Sequence, residues 1–292
     1  MQEIEFKFQV PVKKRKALQK AFTLLKAEPI HLAAQYFDTA DQTLAKHCIA
    51  IRRRQENGEW KQTFKAVNTA KALSRFELEF DIEPPETTTL DLDNYKKDYS
   101  AIYKKLKRAL GLPLPTLKLL FETNIQRLRV LQNIESSTVE IALDIGKIFK
   151  EQNSVDIFEI EFELKQGSIE DLIAFIQPWI QKYQLSLDTH SKSDYGLQAV
   201  RQQSCFPAQY QTPLALNRSS SEVEALRSIV ANCLQHLLPN ASSIARQQYS
   251  REHIHQARVA IRRLRSALKS FAAWSDDIQP HWKRNSPLFF KP

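Results

Sequence analysis

Glu3-Ile4-Glu5-Phe6-Lys7-Phe8, at the start of the chain, is the stretch on which our interpretation of the fold depends. If it forms a β-strand, its three charged side chains project from one face and its three apolar side chains from the other. The apolar face must pack into a core. The charged face is exposed to solvent, belongs to a ladder of ion pairs, or lines a charged cavity, and the rest of the sequence has to decide between these alternatives.

Seven later segments repeat this two-faced pattern. Asn57-Gly58 joins two of them and is a strong hairpin signal, and Pro84-Pro85 ends another. A single charged strand is easily explained as solvated, but a whole sheet of such strands is not. The charged side chains of the repeated pattern are Arg52, Arg54, Lys61, Lys65, Arg75, Glu77, Glu79, Asp81, Arg127, Arg129, Glu140, Asp144, Glu159, Glu161, Glu163 and Lys165.

The apolar faces of these strands need cover. Helical periodicity predicts three helices in this part of the chain, at residues 12–27, 94–110 and 168–183. A closed barrel satisfies both faces, because helices cover its apolar outside and the charged faces line its inside. We therefore predict an α+β fold: an eight-stranded antiparallel β-barrel, or tunnel, with flanking helices, followed by a short all-α segment.

Such an interior would hold arginine, lysine and clustered carboxylate side chains, and buried charge without a partner is costly. The arrangement is reasonable if the interior binds an anion and a cation together. Arginine forks and lysine ammonium groups bind phosphate oxygens, and all-oxygen carboxylate clusters suit Mg²⁺ or Mn²⁺. A polyphosphate with a divalent metal ion is the pair that fits both.

The ordered charged motifs resemble those of the CYTH family of triphosphate tunnel metalloenzymes, from residue 1 to about residue 200. The resemblance implies an eight-stranded antiparallel tunnel that acts on a triphosphate with Mg²⁺ or Mn²⁺. Family members include inorganic triphosphatases, thiamine triphosphatases, class IV adenylate cyclases and RNA 5′-triphosphatases. The motifs that carry the resemblance are Glu3-x-Glu5-x-Lys7, Arg52-x-Arg54, Thr63-Phe64-Lys65, Glu77-x-Glu79, Arg127-x-Arg129, Glu159-x-Glu161 and the late Lys192.

Carried over to this sequence, the resemblance implies a role for each motif. The catalytic group would be Glu3, Glu5, Lys7 and Lys65. The triphosphate would be held by Lys7, Arg52, Arg54, Lys65, Arg127, Arg129 and Lys192, with a salt bridge across the tunnel as the alternative for Arg127 and Lys192. The metal ligands would be Glu3, Glu5, Glu159 and Glu161. The supporting carboxylates would be Glu77, Glu79, Asp144 and Glu163, with Glu140 favoured as a group that orients basic side chains.

Composition limits the other classes of function. The 292 residues carry a formal net charge of +9, which favours an anionic partner. Three widely spaced cysteines without CxxC spacing predict reduced thiols in the cytoplasm. The absence of a signal peptide and of a long apolar run argues against a membrane partner. Nucleic acid is not an expected partner, because exposed aromatic residues are not interleaved with the basic ones.

Beyond residue 200 the pattern changes. Residues 201–218 predict a linker, a helix is predicted from Ser219 to Leu238 with Pro239-Asn240 as its end, and a second helix from about Ala241 to Trp274. At helical spacing, one stripe of this second helix is almost entirely basic. Its members are Arg251, His255, Arg258, Arg262, Arg265 and Lys269.

The series from His255 to Phe271 resembles the signature of the CHAD family, helical domains that follow CYTH domains in many bacterial proteins and bind polyphosphate. The resemblance implies polyphosphate binding by His255, Arg258, Arg262 and Arg265, whereas Arg263 lies off the stripe and is assigned to packing. A complete CHAD domain needs more chain than remains here, so we expect a truncated one.

These observations predict a CYTH tunnel domain at residues 1–200, a linker at 201–218, a partial CHAD helical segment at 219–279 and an irregular tail at 280–292. The predicted function is metal-dependent hydrolysis of inorganic triphosphate to diphosphate and phosphate. The alternatives are another CYTH activity, as a thiamine triphosphatase or an adenylate cyclase, or a non-catalytic polyphosphate-binding protein.

Overall fold

A computed structural model of the chain describes residues 4–67, 75–90, 92, 95, 99–214, 216–217 and 219–275. The chain forms two compact units, one made of Met1–Ser186 with His190–Gln203 and the other of Leu187–Thr189 with Ser204–Pro292. The predicted roles of Glu3 fall outside the described residues. None of the described helices combines the length and the hydropathy needed to cross a membrane.

The first unit is built on one sheet. Its long strands are β1 (Glu5–Gln9), β2 (Glu28–Asp38), β3 (Ile49–Glu56), β4 (Glu59–Val67), β5 (Arg75–Ile82), β7 (Leu117–Ile134), β8 (Ser137–Lys150) and β9 (Asn153–Gln166), with two-residue strands β6 (Thr89–Leu90) and β10 (Ser186–Leu187). The helices of this unit are α1 (Val12–Leu24), α2 (Thr43–Lys46), α3 (Ser100–Leu110), α4 (Ile169–Tyr183) and α5 (Lys192–Val200).

The sheet has the order β10-β1-β9-β8-β7-β2-β3-β4-β5, with β6 paired to β7. The pairings between the eight long strands are antiparallel, which confirms the predicted number and arrangement of long strands. Among the described residues, no strand pairing joins β5 to the opposite end of the sheet, so hydrogen bonds do not close it into a barrel there. Strand pairing among these residues therefore does not provide the predicted closure of the barrel.

Local chemistry explains the predicted hairpin between β3 and β4. Asn57 and Gly58 have φ angles of 50° and 95°, and positive φ at both positions is what the tightest two-residue turn requires. The turn sets Arg52 opposite Thr63 and Arg54 opposite Lys61. The middle of one face of the hairpin is therefore basic, and Glu56 and Glu59 lie on the same face next to the turn.

The apolar face of the same strands packs beneath helix α3. Ile51 and Phe64 are fully buried and lie in one cluster with Ile102 and Leu106 of α3. At the other part of the sheet, Phe162 packs edge to face against side chains of α4. Helices thus cover the apolar face, as the alternation predicted.

The second unit contains two long helices, α6 (Glu222–Ala245) and α7 (Arg251–Ser270), followed by a short 3₁₀ helix at Ala272–Trp274. The predicted helix end at Pro239-Asn240 is wrong, because α6 continues through Pro239. A proline inside a helix removes one backbone hydrogen bond. Here the buried Asn240 side chain donates to the carbonyl oxygens of His236 and Gln209, which holds the chain at this point.

The predicted start of the second helix near Ala241 is also wrong, since α7 begins at Arg251. Ser250 is its N-cap, and the imidazole of His253 accepts a hydrogen bond from the Ser250 backbone N–H at 3.0 Å. In the usual capping box, a glutamate or glutamine side chain accepts this hydrogen bond, and here His253 takes its place. A histidine in that position is a weak sequence signal for a helix start.

Candidate active site

A cavity of about 560 Å³ in the first unit is lined by side chains from all eight long strands and from the first turn of α5. The charged faces of the strands therefore converge on one space instead of facing bulk solvent. Of the described residues, nine cations line it: Lys7, Arg52, Arg54, Lys61, Lys65, Arg127, Arg129, Lys165 and Lys192. Eight carboxylates line it as well: Glu5, Glu56, Glu77, Glu79, Glu140, Glu161, Glu163 and Asp194.

Three buried carboxylates, those of Asp144, Glu159 and Glu161, form a cluster on strands β8 and β9, which we call the carboxylate cluster. One oxygen from each lies within 4.8 Å of the others. Asp144 is paired across the sheet with Glu159, and Glu161 lies two residues further along the same face. The strand register therefore brings together two residues predicted as metal ligands and one predicted as a supporting carboxylate.

Cations surround the carboxylate cluster. Arg127 donates two hydrogen bonds of 2.7 Å to Asp144 and also pairs with Glu161. Lys192 lies 2.7 Å from Asp144 and 2.9 Å from Glu161, and it also pairs with Glu159. Both side chains therefore form the salt bridges that the sequence offered as the alternative to phosphate binding.

These contacts set the protonation states of the cluster. Burial by itself would lower the pKa of Lys192, but the carboxylates of Asp144, Glu159 and Glu161 raise it well above its usual value. Burial would raise the pKa of Glu161, but Lys192 and Arg127 hold it well below its usual value. Burial dominates at Glu159 and raises its pKa despite the same ammonium. Glu161 is thus the carboxylate of this pair that is held in the charged form.

A second charged group, on β3 and β4, contains Arg52, Arg54, Lys61 and Lys65. Lys65 lies 2.6 Å from Glu77, and Glu79 accepts from Arg54 at 3.3 Å while it also approaches Lys61 and Arg52. The two glutamates thus contact the basic side chains and orient them. We call these four cations the basic group.

Arg54 retains an unused donor within this group. Its Nε is buried and has no hydrogen-bond partner among the residues that the structure describes. Burial and the neighbouring Arg52 lower the pKa of Arg54. A buried guanidinium N–H without an acceptor is costly.

The remaining predicted residues lie around the same cavity. Lys7 contacts Glu159 at 3.6 Å and donates to the backbone carbonyl of His190, and Glu5 also lines the cavity. Arg129 pairs with the exposed Glu28 at 3.1 Å. Lys165 contacts Glu163 and Glu140, so Glu140 is paired with a basic side chain, in line with its predicted orienting role.

Helix α5 brings Lys192 to the cavity. Its N-cap Ser191 and Asp194 form a capping box, and both residues line the cavity together with Lys192. Gly196 packs so closely on the ring of Phe121 that a Cβ atom there would overlap it. The contact fixes the helix against β7 and so fixes the backbone from which Lys192 extends.

Sequence reasoning missed Tyr36 as a cavity residue. Its ring stacks on Phe121 at 4.5 Å, and its hydroxyl is hydrogen-bonded to Arg52, which together with the positive charge of that guanidinium lowers the pKa of Tyr36 against the opposing effect of burial. The face of β2 that reaches the cavity is otherwise apolar, with Ile30 and Leu32. The rule that charged strand faces line the tunnel could not identify Tyr36. Lys61 and Glu56 were also not assigned to the site, although Lys61 alternates with Lys65 in the sequence.

The predicted polyphosphate-binding residues lie in the second unit, on one face of α7. Each of these four side chains is exposed. Arg263, on another face, donates to Asn232 at 2.7 Å and contacts His236, which confirms its assignment to packing. The four exposed residues are His255, Arg258, Arg262 and Arg265.

Comparison with known proteins gives two domain matches along the chain. The CYTH domain profile matches residues 1–194, and the CHAD domain profile matches residues 228–286. An inorganic triphosphatase of Haemophilus influenzae is 31% identical over 202 residues, which are 67% of this chain and 54% of that protein. The chain therefore spans about half the length of this relative.

Two solved structures are also similar. A protein from Hippeastrum, assigned as an adenylyl cyclase and described as having a dominant triphosphatase activity, is 18% identical with a TM-score of 0.48, covering 70% of this chain and 98% of that one. A protein from Bacillus halodurans, assigned as an adenylate cyclase, is 22% identical with a TM-score of 0.46, covering 66% of this chain and 96% of that one.

The match of the CYTH profile extends over most of the chain, and it covers the strands and the helix turn that carry the charged residues lining the cavity. The chain belongs to the CYTH family.

Proposed function

We propose that the chain hydrolyses inorganic triphosphate to diphosphate and phosphate inside the cavity, with Mg²⁺ or Mn²⁺ as cofactor. The observation that carries this proposal is the juxtaposition of the carboxylate cluster and the basic group in one cavity, with an unsatisfied guanidinium donor on Arg54. The inorganic triphosphatase activity named for the Haemophilus influenzae relative supports the choice of substrate.

The charge balance of the cavity supports a requirement for metal. Among the described residues, nine cations and eight carboxylates line it, and the buried Asp144 and Glu159 lie beside the lining Glu161. A cavity that is close to neutral offers little net attraction to a highly charged anion. A divalent cation would add the missing positive charge.

The donor set fits such an ion. Asp144, Glu159 and Glu161 offer only carboxylate oxygens, which are the ligands that Mg²⁺ and Mn²⁺ prefer. Glu5 lines the same cavity and would complete the set, with Glu3 of the same Glu3-x-Glu5 motif as the further ligand that the family resemblance implies. A bound divalent ion would neutralise phosphate charge and activate water for in-line attack.

The protein's own residues would hold the substrate. Arg52, Arg54 and Lys65 are oriented by Glu77 and Glu79, so their donors already point into the cavity and need little reorganisation to bind phosphate oxygens. Lys7 reaches the boundary between the basic side chains and the carboxylate cluster. It is placed to bind the phosphate group nearest the metal ligands.

The side chains that line the cavity also bear on which triphosphate is the substrate. Tyr36 is the one aromatic side chain among the described lining residues, and it is already stacked on Phe121. A nucleobase or a thiamine ring would therefore have little aromatic surface to stack against. This favours a substrate that consists of phosphate groups alone.

The assay that tests the proposal measures phosphate release from inorganic triphosphate, ATP and thiamine triphosphate, each with Mg²⁺ and with Mn²⁺. We expect kcat/KM for inorganic triphosphate to exceed that for the other two by at least about tenfold, or ~1.4 kcal/mol. EDTA should abolish the release and added Mg²⁺ should restore it. Cleavage of none of the three would contradict a catalytic role, and formation of cyclic AMP would identify the cyclase alternative.

We infer a second phosphate-binding surface on α7, and it is favoured by the exposure of four basic side chains on one helical face. Like charges at this spacing repel each other, and a polyanion would relieve the repulsion. The triple variant R258Q/R262Q/R265Q should weaken binding of long-chain polyphosphate at least about tenfold, since each lost phosphate contact contributes to affinity and salt dependence. Unchanged retention of the variant on immobilised polyphosphate would contradict this surface.

A further inference from the structure

Lys192 occupies the centre of the carboxylate cluster. Its ammonium contacts all three carboxylates, at 2.7 Å for Asp144 and 2.9 Å for Glu161, with Glu159 as the third partner. An ammonium group has three N–H donors, so these contacts use its full donor capacity. Arg127, by contrast, contacts two of the three, Asp144 and Glu161.

A metal ion and this ammonium cannot use the same oxygens at once. A Mg²⁺ ion would lie about 2.0–2.1 Å from each ligand oxygen. The ammonium nitrogen lies at 2.7 and 2.9 Å from oxygens of the same cluster. Two cations held by one set of oxygens would overlap and repel each other.

We propose that Lys192 is an internal competitor for the metal site: its ammonium holds the carboxylate cluster until a divalent ion displaces it, and the released ammonium then binds the triphosphate. The inference rests on the proposed function. It assigns Lys192 two positions, one at the cluster and one on the substrate, and thereby makes metal loading a condition for complete substrate binding.

The fold allows this exchange without movement of the helix. Lys192 is in the first turn of α5, next to the capping box formed by Ser191 and Asp194, and Gly196 is packed against Phe121. The backbone is thus held at both ends of the turn, and rotation of the lysine side chain is sufficient. The neighbouring Ser191, Ser193 and Asp194 line the cavity, so the released ammonium stays beside the substrate.

The test measures Mn²⁺ binding to the full-length protein without substrate, by electron paramagnetic resonance or calorimetry. We expect K192M to bind Mn²⁺ at least about tenfold more tightly than the wild type, because the competing cation is gone. K61M is the matched control, since Lys61 also lines the cavity but contacts Glu79 at 3.8 Å instead of the cluster. Its affinity for Mn²⁺ should stay within about twofold of the wild type.

The possible outcomes separate the two proposals. Mn²⁺ binding to the wild type with equal or weaker binding to K192M would overturn the competition and leave the proposed function standing. If neither protein bound Mn²⁺, the metal dependence and the competition would both be wrong.

A measurement on the wild type keeps the inference testable if K192M does not fold. Acylation by a succinimidyl ester, followed by peptide mass spectrometry, reports how accessible each lysine amine is. Saturating Mg²⁺ should increase modification of Lys192 at least about fivefold, because its N–H donors leave the carboxylates, and should not change that of Lys61. An unchanged rate at Lys192 in protein that binds Mg²⁺ would reject the competition.

Discussion

Replacing Glu161 with glutamine is expected to lower the rate of metal-dependent triphosphate hydrolysis at least about 100-fold, or ~2.7 kcal/mol of transition-state stabilisation. Glu161 is the carboxylate of the cluster whose pKa is held well below its usual value, by Lys192 and Arg127, against burial. It is therefore charged at every pH suitable for the assay. The amide keeps the shape of the side chain but loses the negative charge that a divalent ion requires.

A matched control lies on the same strand. Asp156 is also on β9, but its side chain is largely exposed and pairs only loosely with Lys147, at 3.5 Å. An exposed pair of this kind contributes little, about 0–1 kcal/mol, so D156N should keep hydrolysis within about twofold of the wild type. Activity of E161Q above about half that of the wild type would show that the carboxylate cluster does not hold the catalytic metal.

Two measurements on E161Q separate metal binding from catalysis: the Mg²⁺ concentration for half-maximal activity and the rate at saturating Mg²⁺. Loss of a metal ligand should raise the Mg²⁺ concentration needed for half-maximal activity and also lower the rate at saturating metal. If high Mg²⁺ restored the full rate, Glu161 would contribute to metal affinity alone. The same titration on D156N gives the reference curve.

Alternation of residue types predicted the faces of the strands but not their relative position. A shift of the β8–β9 pairing by two residues would keep every charged side chain on the same face. The observed register places Asp144 opposite Glu159, and this pairing creates the carboxylate cluster. Asp144 was therefore predicted as a supporting group, because its contact with Glu159 depends on a register that alternation does not determine.

Tyr36 and Lys192 illustrate two further limits. Tyr36 reaches the cavity from β2, whose other cavity-lining side chains, Ile30 and Leu32, are apolar, so the rule that charged side chains mark the tunnel face passed over it. Lys192 reaches the carboxylate cluster from α5, and the family resemblance assigned it to the triphosphate, with a salt bridge across the tunnel as the alternative. Its contact with three carboxylates required the packing of α5 on β7.

The helices of the second unit show the limit of local signals. A proline such as Pro239 usually ends or kinks a helix, yet α6 continues through it. The hydrogen bond from the Asn240 side chain to the carbonyl oxygen of Gln209 holds the chain there. The cap of α7 uses His253, which is an unusual residue for that role. The basic face of α7 followed correctly from helical spacing, because exposure of a charged stripe needs no knowledge of a partner.

Replacing Arg127 with methionine is expected to destabilise the first unit by about 3–5 kcal/mol. The guanidinium is largely buried and makes two hydrogen bonds of 2.7 Å to Asp144, whose side chain has no exposed surface. Without it, Asp144 loses the donor of two short hydrogen bonds, and among the described residues Lys192 and Lys7 are the cations that remain in contact with the cluster. Hydrogen exchange of the β7, β8 and β9 amides measures this loss within the first unit.

Arg129 provides the matched control for this prediction. It lies two residues further along the same strand and face, but it is more exposed and pairs with Glu28, which is itself mostly exposed. R129M removes the same guanidinium and should cost less than about 1 kcal/mol. Equal losses for the two variants would mean that the carboxylate cluster does not depend on Arg127 for its stability.

The double variant R127M/D144N tests the physical cause. It removes one cation and one carboxylate, so that two carboxylates again face two cations. If the loss in R127M comes from uncompensated charge, the double variant should recover at least about 1 kcal/mol relative to R127M, because the two substitutions are in contact and do not add. Strictly additive losses would instead assign the effect to lost packing of the arginine side chain, and the carboxylate cluster would then tolerate an excess of negative charge even before any metal ion is bound.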